Sequence, residues 1–122
     1  TLLENESTPD RLKAVKMSEE LGDASEEVID ALLQTLNNDK SVNVRLAALE
    51  SLYQYADREH VRAGLIRSIR LQNSPLVQMA LADVMAALQE KRSVKEFEKI
   101  LKSNRSPEEV KEKIKDSIQP LL

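Results

Sequence analysis

The chain has 122 residues, 41% of them hydrophobic and 32% charged, with a formal net charge of -3. That length suits one domain able to bury a core without covalent staples, and the absence of cysteine beside a single histidine, His60, excludes the common zinc-site spacings and any thiol chemistry. Only 2% of residues are aromatic and two are glycine, while Leu, Ala, Glu and Lys abound, so the composition is all-helical; the mixed charge argues against nucleic acid, and no apolar run is long enough to span a membrane.

In chain order, the first predicted helix runs from Pro9 to Leu21, opened by Thr8-Pro9, a hydroxyl that can cap free amides followed by a proline whose missing amide costs nothing in the first turn. Leu21-Gly22-Asp23 can end that helix in a left-handed turn, and Ser25-Glu26-Glu27 then supplies a capped, acidic start for the next, Glu26 to Asn37, with Val28, Leu32, Leu33 and Leu36 at helical spacing. Further helices are predicted over Val42 to Tyr55, Glu59 to Gln72 and Pro75 to Gln89. The last of these is opened by Ser74-Pro75, and its stretch from Pro75 to Leu88 is apolar almost all round, apart from Gln78 and Asp83, so it should have neighbours on most sides. Ser93 to Lys102 and Pro107 to Ile118 complete the set. The final helix, opened by Ser106-Pro107, keeps Val110, Ile114 and Ile118 on one stripe with charge around the rest, as a terminal cap with a solvated outer face would.

These helices repeat. Val28, Val61 and Val94 recur every 33 residues, as do Val44, Val77 and Val110; Ala14, Ala47 and Ala80; and Ala48, Leu81 and Ile114. Each unit is therefore a pair of helices, and the chain reads as a single repeat domain, residues 1–122. It begins with Thr1, which suggests a processed product or a fragment of a longer protein.

The stretch "DKSVNVRLAALESL", with Asp39, Val44, Arg45, Ala47, Ala48 and Leu52, resembles the HEAT repeat, particularly the short bacterial HEAT-like kind. The resemblance implies an armadillo-like right-handed α-solenoid, an alpha-alpha superhelix, of about three and a half helical hairpins. It also implies that Asp39, in the turn inside a repeat, and Arg45, near the start of the second helix, form a polar ladder between stacked units. Such a pair would satisfy groups at the helix ends with directional bonds. At the next ladder positions the pair becomes Gln72 and Gln78, still able to donate and accept, and then Arg105 and Lys111, where the complementarity is gone. The longer run from Asn43 to Met85 also looks like HEAT segments at the C-terminal end of some bacterial membrane-anchored proteins similar to anti-sigma factors. In those proteins a zinc-binding module and one membrane helix precede the repeats.

Second helices usually line the inner face of such an array. Helical spacing groups Asn43, Ala47, Glu50 and Gln54 on one stripe, Leu76, Ala80, Asp83 and Ala87 on the next, and Glu109, Lys113 and Asp116 on the last. Glu50, Asp83 and Asp116 thus form a column of carboxylates, one per repeat, suited to a basic peptide; the plainer alternative is the solvated side of each helix. Asp83 should face the groove, since a buried carboxylate needs a partner. Tyr53, Tyr55, Met79 and Met85 are expected in the core, with Tyr53 also a candidate anchor for a partner. Arg62, Arg67, Arg70, Lys91 and Arg92 give the outer side a basic character that reads as solvation.

No phosphate loop and no nucleophile set that His60 could complete is visible, so the expected role is non-enzymatic, with no cofactor and no metal. A protein or peptide is the expected partner, on Glu50, Gln54, Asp83 and Tyr53, with no nucleic acid, no membrane contact by this segment, and a dimer available through exposed repeat ends. The alternative is an extracytoplasmic structural or sensor domain of a membrane-anchored bacterial regulator. The compartment is left open between the cytoplasmic and the periplasmic side of such a protein.

Overall fold

The computed structural model describes residues 7–21 and 25–122, and of residues 18–21 the backbone only. Among them are seven α-helices and no strand: α1 Thr8–Leu21, α2 Glu26–Asn38, α3 Val42–Tyr53, α4 Glu59–Ile69, α5 Pro75–Ala87, α6 Val94–Lys102 and α7 Glu108–Ile118. Two single-turn 3-10 helices, Lys91–Ser93 and Gln119–Leu121, precede α6 and follow α7. Each predicted helix is present, and the class is all-α, built of helical hairpins.

Helix starts follow the serines. The side chains of Ser25, Ser41 and Ser74 accept from the amides of Val28, Val44 and Val77 at 3.3, 3.3 and 3.5 Å, each satisfying one donor that the first turn leaves free. Two of the three predicted Ser/Thr-Pro starts work differently. At α1 the cap is Ser7, which accepts from the Asp10 amide at 3.4 Å and donates to the Asp10 carboxylate at 2.8 Å, while the Thr8 hydroxyl accepts from Arg11 instead. At α7 the cap position is Pro107, which has no side-chain oxygen to offer, and Ser106, one residue too early, donates to Gln78. The left-handed end predicted at Leu21-Gly22-Asp23 lies outside the described residues. A Schellman end occurs at α5, where the Glu90 amide reaches the Met85 carbonyl at 2.9 Å and Gln89 takes φ 55°, a conformation that normally selects glycine.

The chain divides into two compact units, Thr1–Gly64 and Leu65–Leu122, with the dividing point inside α4. In the first, α2 lies along α3, and α1 packs on the same helix α3, so a second helix of one repeat stacks on the second helix of the next. The core here is Val15, Ile29, Leu32, Leu36, Val44, Ala48, Leu52 and Val61, none more than 1% exposed.

In the second unit α5 packs on α7 in the same second-helix relation, and α6 also touches α7. Leu65, Ile69, Val77, Leu81, Met85, Phe97 and Ile114 are fully buried there. The repeat register read from sequence is a burial register: Ala48, Leu81 and Ile114, 33 residues apart, are all at 0% exposure. Burying a Leu or Ile side chain at each such position contributes about 1.5–3 kcal/mol.

Candidate functional site

The turn inside a repeat is where polar side chains enter the interior, and Asp39 sits at the centre of the first. Its carboxylate takes two bonds from the Arg11 guanidinium, Nε to Oδ2 at 2.6 Å and Nη2 to Oδ1 at 3.1 Å, and Oδ1 also accepts from the Ser41 amide at 2.8 Å. The Arg11 and Asp39 side chains are only 4% and 5% exposed. One carboxylate thereby joins α1 of one repeat to the start of α3 in the next, with the fork geometry that makes arginine suited to such links.

Arg45 does something else. Its Nε donates to the backbone carbonyl of Asp39 at 2.5 Å, not to the carboxylate. A helical side chain leans toward the helix N-terminus, so a guanidinium in the first turn of α3 sweeps back to the carbonyl that ends α2. The expected Asp39–Arg45 ion pair is thus corrected to a side-chain-to-backbone bond, with Arg11 supplying the cation. The same six-residue arrangement recurs twice: Gln78 Nε2 donates to the Gln72 carbonyl at 2.9 Å, and Arg62 Nε to the Ala56 carbonyl at 3.0 Å. Gln72 and Gln78 are 6% and 7% exposed, and Gln78 Oε1 accepts from the Ser106 hydroxyl at 3.5 Å, 28 residues on, as Arg11 meets Asp39 across 28.

Arg11 was legible in principle. Ser7 and Arg11 precede Ser41 and Arg45 by 34 residues, so the first spacing is one longer than the 33 read elsewhere, and the strict period pairs Arg11 with Val44. At the third ladder position Lys111 is buried, 8% exposed, and its ammonium lies 3.7 Å from the Glu108 carboxylate.

On α3, Asn43 and Glu50 are exposed and Ala47 is half-buried, and Gln54, which caps the helix, is exposed, so the predicted stripe faces solvent. Tyr53, expected in the core, is 43% exposed beside them; it is the last residue of α3, three after Glu50, and shares that face. Met85 is fully buried, whereas Tyr55 and Met79 are half-buried. In the second unit Leu76, Asp83 and Ala87 are exposed on α5, and the Asp83 carboxylate accepts from the Ser117 hydroxyl of α7 at 2.7 Å. Asp83 therefore faces solvent with one internal bond in place. On α7, Glu109, Lys113 and Asp116 are exposed as well.

The basic side is less uniform than the sequence implied. Arg67, Arg70 and Lys91 are exposed, but Arg62 is engaged with Ala56 and Arg92 grips the buried Glu90, Nε to Oε2 at 3.0 Å and Nη2 to Oε1 at 2.7 Å. His60 is exposed and its Nε2 donates to Asp30 at 2.7 Å, a surface pair. Among the described residues no three His, Cys, Asp or Glu side chains converge as a metal site, and no helix is long and apolar enough to cross a membrane.

Paired helices with second-helix stacking and polar intra-repeat turns are the features by which one repeat family is distinguished, and residues 29–118 match the family described as HEAT repeats. The chain belongs to the HEAT-repeat family. Comparison with curated proteins and with solved structures gives no match. HEAT-repeat domains are typically non-catalytic and generally mediate protein binding.

Proposed function

We propose that this HEAT-repeat chain is a non-enzymatic interaction module that holds a peptide or protein partner on the exposed sides of its second helices. Membership of a family whose repeats generally mediate protein binding supports this reading. The observation that carries it is Tyr53, 43% exposed in a chain with three aromatic residues, at the end of α3 one turn after the exposed Glu50 and next to the exposed Gln54. An exposed tyrosine offers apolar area at little conformational cost, and adjacent carboxylate and amide groups fix a basic partner beside it. Within the second unit, Asp83 on α5 is an exposed carboxylate at the repeat-equivalent position, bonded to Ser117.

The test is affinity capture from native lysate with the wild type, a Glu50→Lys, Asp83→Lys variant and a Tyr53→Ala variant, each first checked for helicity by circular dichroism. A partner that is retained by wild type and by an Arg67→Glu control, and lost from both variants, supports the reading. A partner set unchanged by either variant refutes it. A second reading, a structural or sensor domain of a membrane-anchored regulator similar to anti-sigma factors, rests on the likeness of the Asn43 to Met85 run; a full reading frame encoding a membrane helix ahead of the repeats would favour it.

A further inference from the structure

The second unit holds a cleft of about 250 Å³ where the end of α4, the start of α5, α6 and the turn before α7 meet. Glu96, Lys99, Ile100 and Ser103 line it from α6 and its C-cap at helical spacing, and Arg70 and Arg105 line it from the turns after α4 and before α7. Three cations thus stand against one carboxylate in a chain of net charge -3. Lys99 is engaged with Glu96 Oε1 at 3.5 Å. The guanidinium groups of Arg70 and Arg105 make no hydrogen bond or ion pair with any described residue, and both residues are exposed. Arg11, Arg45 and Arg62, by contrast, are each engaged at the earlier turns.

Cations alone accept any small anion; Glu96 and Ser103 narrow the choice. Glu96 Oε2 is buried and has no hydrogen-bond partner among the described residues, so this carboxylate still has an acceptor to satisfy. Rotation about the terminal bond of a glutamate is soft, so an oxygen can meet a donor placed in the cleft that the residue lines. The Ser103 hydroxyl accepts from the Arg105 amide at 3.1 Å and has its own proton left to donate. A fitting ligand is therefore an anion that accepts from arginine and serine and still carries a proton of its own. Orthophosphate keeps at least one proton on oxygen at neutral pH. Sulfate, an ionised peptide carboxylate and a phosphodiester keep none, and a phosphate monoester, with a second pKa of about 6, has lost most of its own. Size agrees, since the cleft is smaller than the about 300–1,000 Å³ of sites that take drug-sized ligands.

We propose that this cleft is a binding site for inorganic phosphate, in which Arg70 and Arg105 neutralise the anion, Ser103 donates to it and Glu96 accepts the proton that it retains. Glu96 makes the site selective, because a fully ionised anion of the same charge meets a carboxylate with no hydrogen to offer it. Bound phosphate joins the turn after α4 to the turn before α7, so it also stabilises the folded second unit by mass action. The site is separate from the α3 face and does not depend on it.

The experiment is titration of the isotopically labelled protein with inorganic phosphate, at constant ionic strength and slightly above neutral pH, followed by backbone and arginine Nε–H resonances. Sulfate and a capped phosphoserine are run in parallel. The expected result is movement of resonances in 70–73 and 96–106, with phosphate bound about tenfold more tightly than either of the other two, the scale of one charge-assisted hydrogen bond. Arg70→Gln and Arg105→Gln should each weaken phosphate by about tenfold, while Arg67→Gln, the same change of charge outside the cleft, stays close to wild type. Both arginines are exposed, so these variants should keep the wild-type circular dichroism. Glu96→Gln should remove the preference for phosphate over sulfate while binding of both persists, a change that loss of fold or of positive charge does not produce. Sulfate or phosphoserine bound as tightly as phosphate, a preference that survives Glu96→Gln, indifference to both arginine variants, or no binding of phosphate would each overturn the proposal.

Discussion

Arg11 and Asp39 show how much one polar pair can do when both charges leave water. A carboxylate this buried is costly unless paired, and here it is bound by Arg11 through two bonds and by the Ser41 amide through a third. Removing only the cation leaves the carboxylate largely uncompensated. Arg11→Ala is therefore expected to lower unfolding free energy by about 3 kcal/mol, and Asp39→Ala by a similar amount. The Arg11→Ala, Asp39→Ala double variant should lose much less than the sum, because neither charge is then stranded. Urea unfolding of the four proteins measures the coupling. A coupling near zero would mean that the pair is a surface-like contact and that the turn is held by its other bonds, that of Arg45 to the Asp39 carbonyl among them.

At the scale of the element, Gly64 governs how closely α4 approaches α2. A Cβ added there would lie 2.6 Å from Leu33 Cδ1, 2.9 Å from Cδ2 and 3.3 Å from Cγ. All three atoms belong to one side chain that is 8% exposed, so relief requires Leu33 to find another rotamer inside a filled core. Overpacking of this kind costs about 1–3 kcal/mol, against about 1 kcal/mol that alanine gains over glycine in a helix. Gly64→Ala should thus lower the unfolding midpoint, and the same change in a Leu33→Ala background should raise it. Midpoints moving in the same direction in both backgrounds would place the effect in the backbone rather than in this contact. No sequence pattern announces that contact, since a glycine within a helical run reads only as a weak position. Helix positions themselves were legible because Ser25 and Ser74 stand directly before hydrophobic repeats and because Ala48, Leu81 and Ile114 keep one spacing. What escaped depended on a single residue of offset: Ser106 lies one position ahead of the cap, and Arg11 lies one position off the strict period. The exposed stripe of α3 could be read from helical spacing, but Tyr53 could not be placed, because an aromatic side chain at a helix end satisfies either a core or a surface pattern. Arg70 and Arg105, far apart in sequence, line one cleft only once α4 and the turn before α7 are folded together.

For the whole molecule, a chain of stacked helices needs a last helix that is apolar on one side only. In the second unit α7 meets this requirement: Ile114 and Ile118 are buried, while Glu108, Glu109, Glu112, Lys113, Lys115 and Asp116 are exposed. Its buried side packs on α5, whose own sequence has few polar positions to present to water. Removing residues 107–122 would leave that side of α5 bare, and contiguous apolar surface of this kind drives association. The expected outcome is concentration-dependent self-association of the truncated chain in light scattering, at concentrations where the intact chain keeps a constant mass. Lys113→Glu in the intact chain alters only the solvated face and should leave that mass unchanged. A truncated chain of constant, monomeric mass with undiminished helicity would mean that α5 is covered from elsewhere and that α7 is dispensable to the stack.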